Sequence, residues 1–138
     1  MFADMMASFN TLNNLALVGS GFCDDEIARI QEYLEALNPS ARLIFVEPGF
    51  GRQNFLSALK NLILADKPIT EKDIINIEFQ PDLIIKVGSD QNSLDDSFVV
   101  GASYAEIAFC SLAPQDFSLE ALKPFLEDFE NRKRNFGV

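Results

Sequence analysis

The chain has 138 residues, 48% of them hydrophobic and 23% charged, a balance that suits one folded domain with a real core and excludes global disorder. It carries 21 acidic against 11 basic residues, a formal net charge of −10, and such a surface repels nucleic acid and anionic lipid. It has no histidine, which excludes the histidine-dependent serine and cysteine triads.

Met1–Asn10 lacks the basic start and long apolar stretch of a secretory signal. No apolar run approaches the ~20 residues of a membrane span, so the chain reads as cytoplasmic. Cys23 and Cys110 stand 87 residues apart and read as two reduced, partly buried thiols. Arg132, Lys133 and Arg134 cluster near the C-terminus, and without them the balance falls to −13. Such a body suits solubility and a basic protein partner.

In chain order, Phe2, Met5, Met6, Phe9 and Leu12 recur at spacings of three and four, which predicts an amphipathic helix over 1–13 and self-association through it. Leu15–Val18 reads as a buried strand, turned by Gly19-Ser20-Gly21. A helix follows over Asp24–Leu37, with Asp24 as its N-cap and Ile27, Ile30, Leu34 and Leu37 as its apolar stripe. Asn38-Pro39 ends it. Leu43–Val46 is the second strand and Glu47-Pro48-Gly49-Phe50-Gly51 the second turn. The helix over Arg52–Ala65 places Phe55, Leu56, Leu59, Leu62 and Ile63 inward. Thr70-Glu71-Lys72-Asp73 opens a short helix capped by Thr70 and ending before Pro81.

Asp82–Val87 is the third strand, followed by the polar turn Gly88–Ser93. Ser97–Val100 reads as a fourth strand. Glu106–Leu112 reads as a further strand, although Ser103-x-x-Glu106 also suits a helix start. The chain ends in a helix over 118–135, anchored by Phe125, Leu126 and Phe129, with Pro124 in its first turns or at a kink. Strand, tight turn and helix in repetition predict one three-layer Rossmann-like α/β domain over 1–138 with a mainly parallel sheet of four to five strands flanked by helices. Ligands of such sheets bind at the carboxyl ends of the strands.

The candidate site residues come from those ends: Gly19, Ser20, Gly21, Glu47, Arg52, Gly88 and Ser89. Gly19, Gly21 and Glu47 stand where a dinucleotide fingerprint places two glycines and a ribose-binding acid. The third glycine is missing, with Asp24 in its place. Asp24, Asp25 and Glu26 crowd the helix start, and like charges a few ångströms apart cost about 1–4 kcal/mol. Arg52 at a helix start suits a phosphate or carboxylate, but no Gly-Lys-Ser/Thr follows to make a P-loop. Asp90-x-Asn92-x-x-Asp95 has part of a calcium loop without its glycine or terminal glutamate, so no metal is assigned.

Leu83-Ile84-Ile85-Lys86-Val87-Gly88-Ser89-Asp90, then Phe98-Val99-Val100, Tyr104–Ala108 and Leu112-Ala113-Pro114, resemble a nucleotide-fold subdomain. The similar subdomains are those of the molybdopterin oxidoreductases and of the large iron–sulfur subunit of respiratory NADH dehydrogenase. The cluster cysteines of those proteins are absent here. The resemblance therefore implies an accessory domain that has lost redox chemistry, and no catalytic residue carries over. The leading functional expectation is a non-catalytic accessory module acting through protein–protein contacts. The second is a domain that binds a nucleotide or flavin through the strand-end glycine turns, within a redox complex. A carboxylate-based Mg²⁺ enzyme acting on a phosphate ester ranks third.

Overall fold

Four apolar runs pair side by side into one all-parallel sheet. A computed structural model describes residues 12–49, 51–88, 97–102 and 104–136, the last four of these by backbone alone. The strands are β1 (Asn14–Val18), β2 (Arg42–Val46), β3 (Leu83–Val87) and β4 (Glu106–Cys110), in the order β2-β1-β3-β4. Leu15 lies level with Leu43 on one side and Leu83 on the other, and Val87 with Cys110. The expected α/β class with a parallel sheet and flanking helices is therefore present. The amphipathic helix expected over 1–13 lies outside the described residues, apart from Leu12, which is buried in the core, and exposed Asn13.

Side chains alternate across the sheet. Leu15, Leu17, Leu83, Ile85 and Val87 form one face with Cys110, covered by helix α1 (Asp24–Leu37) and the C-terminal helix α4 (Leu119–Phe136). From α1 come Ile30, Leu34 and Leu37; from α4 come Leu119, Leu122, Leu126 and Phe129, all buried. Each such side chain contributes about 1.5–3 kcal/mol of burial. Pro124 sits inside α4, where its missing N–H leaves the Glu120 carbonyl without a helical partner.

The second face is smaller. Ala16, Val18 and Ile84 are covered by Phe79, Phe98, Ala102 and Ala105 from the connecting segments. Right-handed crossovers require this division, since β1→β2 steps one way across the sheet and β2→β3 the other. The β2→β3 connection holds α2 (Gly51–Leu64) and the short α3 (Glu71–Ile75). Thr70 caps α3 as its sequence predicts, in a box where the Asp73 amide donates to Thr70 Oγ1 at 3.2 Å and the Thr70 amide donates to Asp73 Oδ2 at 3.0 Å. These bonds hold the Asp73 carboxyl below the usual carboxylate range.

Two local expectations are corrected. Residues 97–100 form no strand, with bends at 97, 99 and 100. The Glu78 carboxylate accepts the amide hydrogens of Val99, Val100 and Gly101, so these donors are spent before a ladder can use them. Asp24 is not the N-cap of α1 but its first helical residue. Cys23 holds the extended cap geometry (φ −71°, ψ 126°) without a side-chain bond. Both cysteines are free, Cys23 half-buried and Cys110 buried. Among the described residues, no helix is long and apolar enough to cross a membrane.

Candidate functional site

The chain steps from β1 to β2, then back past β1 to β3, so the crevice of an open α/β sheet falls between the carboxyl ends of β1 and β3. Gly19 and Gly88 stand at its two sides, each continuing its strand by one bond: Gly19 N–H to the Val46 carbonyl at 3.0 Å, Gly88 N–H to the Cys110 carbonyl at 2.9 Å. The crevice is occupied by the protein itself. A Cβ on Gly19 would stand 3.0 Å from Pro114 Cγ and 3.1 Å from Phe22 Cζ, and one on Gly88 would stand 2.8 Å from Pro114 Cδ. The Pro114 ring thus lies over both glycines. Phe22 packs inward, its ring edge-on to Phe45 at 5.2 Å and to Phe117 at 6.2 Å. These two glycines admit a proline ring, which fills the crevice between the ends of β1 and β3.

The acids at the start of α1 also have structural work. Glu26 Oε1 accepts the Leu119 amide at 3.0 Å, which caps α4 across 93 residues of sequence. Arg29 binds Glu26 at 3.0 Å and Glu120 at 3.0 Å, tying the first turns of α1 and α4 together. The Leu119 amide and then the Arg29 guanidinium hold the Glu26 carboxyl below the usual range.

The other sequence-chosen residues divide. Gly21 is in the left-handed region (φ 86°) with open space around it, next to exposed Ser20. Glu47 and Arg52 are exposed on either side of the second turn, Glu47 after β2 and Arg52 in the first turn of α2. Glu47 lines an open cleft of about 360 Å³ with Phe45, Val46 and Asn54, the place where β2 meets α2. Ser89, Asp90, Asn92 and Asp95 lie outside the described residues. Lys86, within β3, is 2% exposed and shares the second face of the sheet with Val18.

Helix α2 departs most from its expected packing. Its stripe was expected to point inward, yet Phe55, Leu59 and Leu62 are only half-buried. Leu56, Ile63 and Leu64 are 54%, 61% and 70% exposed. Among the described residues, none from α2 joins either core cluster. An apolar helix therefore runs from the carboxyl rim of β2 with its hydrophobic residues open.

No family model matches the chain. Curated relatives do: one is named as an undecaprenyl-diphosphate synthase and two as isoprenyl transferases. The ditrans,polycis-undecaprenyl-diphosphate synthase ((2E,6E)-farnesyl-diphosphate specific) of Buchnera aphidicola is 29% identical over 116 residues, covering 75% of this chain and 46% of that protein. An isoprenyl transferase of Clostridium acetobutylicum is 29% identical over 102 residues, 63% of this chain and 39% of the other. An isoprenyl transferase of Aquifex pyrophilus is 26% identical over 121 residues, 81% and 52% respectively. The chain thus spans about half, or less, of the length of the curated relatives it matches.

These relatives overturn the resemblance to molybdopterin oxidoreductases and NADH dehydrogenase. Short strands ending in Gly-Ser turns are common to many parallel sheets, which is why the wrong family shared them. The relatives are enzymes, which corrects the expectation of a non-catalytic accessory module. The nucleotide- or flavin-binding alternative is not supported by these relatives either, and Pro114 fills the crevice between Gly19 and Gly88.

Proposed function

We propose that this chain is a domain of an isoprenyl transferase and binds an isoprenyl diphosphate, with the diphosphate at the carboxyl rim of β2 and the isoprenyl chain along α2. The observation that carries the reading is the agreement of three relatives from three bacteria on isoprenyl transfer, over 63–81% of this chain. The uncovered helix supports it, because such a substrate has two dissimilar ends. The apolar tail gains about 0.8 kcal/mol for each CH₂ removed from water. Leu56, Ile63 and Leu64 offer exposed apolar surface on a 14-residue helix, and a helix of that length extends ~21 Å.

The anionic head needs donors fixed in advance. Transfer breaks the bond between the allylic carbon and the diphosphate oxygen, and negative charge grows on the departing diphosphate. The first turn of α2 presents its backbone amides toward this rim and carries Arg52 and Asn54, of which Asn54 lines the cleft. Ser20 and Gly21 border the same rim from the end of β1. Glu47 opposes the head by charge and sets its orientation. Gly19 and Gly88 act indirectly, by seating Pro114.

Titration calorimetry of the chain with farnesyl diphosphate, farnesol and inorganic diphosphate tests this. Farnesyl diphosphate binds at least tenfold more tightly than either fragment, Arg52→Ala weakens binding of the diphosphate forms, and Ile63→Ser weakens binding of the farnesyl forms. Absence of saturable heat with farnesyl diphosphate, or equal affinity for farnesol, overturns the reading.

A further inference from the structure

The opposite end of the sheet holds an open cleft of about 530 Å³, lined by Asn14, Arg42 and residues 76–80. Its volume lies in the range of small-molecule sites. Arg42 is the first residue of β2 and lies level with Asn14, the first of β1, so both stand at the amino ends of their strands. The backbone amide of Arg42 is fixed to the Asn13 carbonyl at 2.7 Å. Its guanidinium carbon lies over the Phe79 ring, 5.1 Å from the centroid, a cation–π contact that holds the group at the cleft without using its N–H donors.

What lines this cleft is rich in donors. Among the described residues the Arg42 side chain has no ion pair or hydrogen bond. Glu78, the acid in the lining, is turned to the amides of Val99, Val100 and Gly101. Gln80 Nε2 donates to the Ile75 carbonyl at 2.9 Å and to Asn76 Oδ1 at 3.4 Å, which leaves the Asn76 amino group as a donor. The Asn14 carboxamide adds another. A guanidinium and two carboxamides lining one cleft supply the donors that an oxyanion takes.

We infer that this amino-end cleft is a second binding site, separate from the carboxyl rim, which takes a small oxyanion (a carboxylate or a phosphate) on the Arg42 guanidinium. Nothing in the site depends on the prenyl-transfer reading.

The test is a nitrogen-15 NMR titration of the whole chain with inorganic phosphate and, separately, with benzoate, at constant ionic strength. Saturable shifts of Arg42 Nε–H and of the Asn14 and Asn76 side-chain amides are expected with at least one probe. Response to phosphate alone, to benzoate alone or to both supports the site and names its ligand chemistry. Arg42→Gln weakens binding roughly tenfold to a hundredfold, the worth of a charge-assisted bond, and Arg42→Lys falls between because it keeps the charge without the fork. Shifts that grow linearly without saturation overturn the inference. So does an affinity unchanged in Arg42→Gln, or saturation centred on Arg52 instead. An unperturbed amide spectrum for residues remote from Arg42 verifies that the variants fold.

Discussion

Glu26 shows how one carboxylate sets the acid response of two helices. Its position suggests a charge placed for the α1 dipole, yet its oxygen caps α4 and its charge holds Arg29. Because its folded pKa is lowered, its stabilisation is present above the unfolded value of about 4.3 and is lost as pH falls through the folded value. Glu26→Gln therefore lowers the urea midpoint at pH 7 and flattens the loss of stability as pH falls through and below the ordinary carboxylate range. Parallel denaturation series check this, and a variant as acid-sensitive as the parent contradicts it. The glycines form a second residue-scale series. A Cβ on Gly101 would collide with the Phe79 carbonyl oxygen, one on Gly88 (φ 91°) would press on Pro114, and one on Gly21 (φ 86°) would meet open space. Gly21→Ala then costs only the left-handed backbone, about 1–2 kcal/mol. Gly88→Ala costs that and the displacement of a ring, roughly 2–4 kcal/mol, and Gly101→Ala the most because backbone must move. Melting temperatures of the three variants fall in that order.

At the scale of elements, apolar periodicity predicts which face of a helix is greasy and is silent about what covers it. Helices α1 and α2 have similar stripes, but α1 buries Ile30, Leu34 and Leu37, and α2 leaves Leu56, Ile63 and Leu64 open. The strands were legible because Leu15–Val18 and Leu83–Val87 are short, wholly apolar or nearly so, and stopped by glycine. The error at 97–100 has a physical source: Phe98-Val99-Val100 has strand chemistry, but a carboxylate 21 residues upstream captures the Val99 amide at 3.0 Å. No local reading contains that partner. The same long range hid what fills the crevice, since Pro114 reaches Gly19 and Gly88 only once three strands are in place. The difference between the helices predicts opposite mutational behaviour. Leu122→Ala in α4, at a position with no exposure, costs about 2–5 kcal/mol. Leu64→Gln in α2 stays within about 0.5 kcal/mol of the parent. Denaturant unfolding separates the two, and a large loss at Leu64 means that α2 is already covered.

For the whole molecule, charge decides how an anionic substrate arrives. The chain bears −10 overall, and Glu47 stands beside the cleft proposed for the diphosphate. A ligand with a multiply charged head is therefore repelled at a distance and held only on contact with Arg52 and the helix amides. Screening separates these two stages, because the Debye length falls from about 30 Å at 0.01 M salt to about 8 Å at 0.15 M. Long-range repulsion is lost over that range, while contacts at hydrogen-bond distance are weakened much less. The association rate of farnesyl diphosphate should accordingly rise several-fold with salt, opposite to the behaviour of a basic phosphate-binding protein. Farnesol, which has no charge, should show no such rise, so any salt effect on the apolar contact with α2 is measured separately. Stopped-flow association at the two salt concentrations decides it. A rate that falls as salt is added would mean that a local positive field at the rim outweighs the acidic body, and that Arg52 acts at long range rather than on contact.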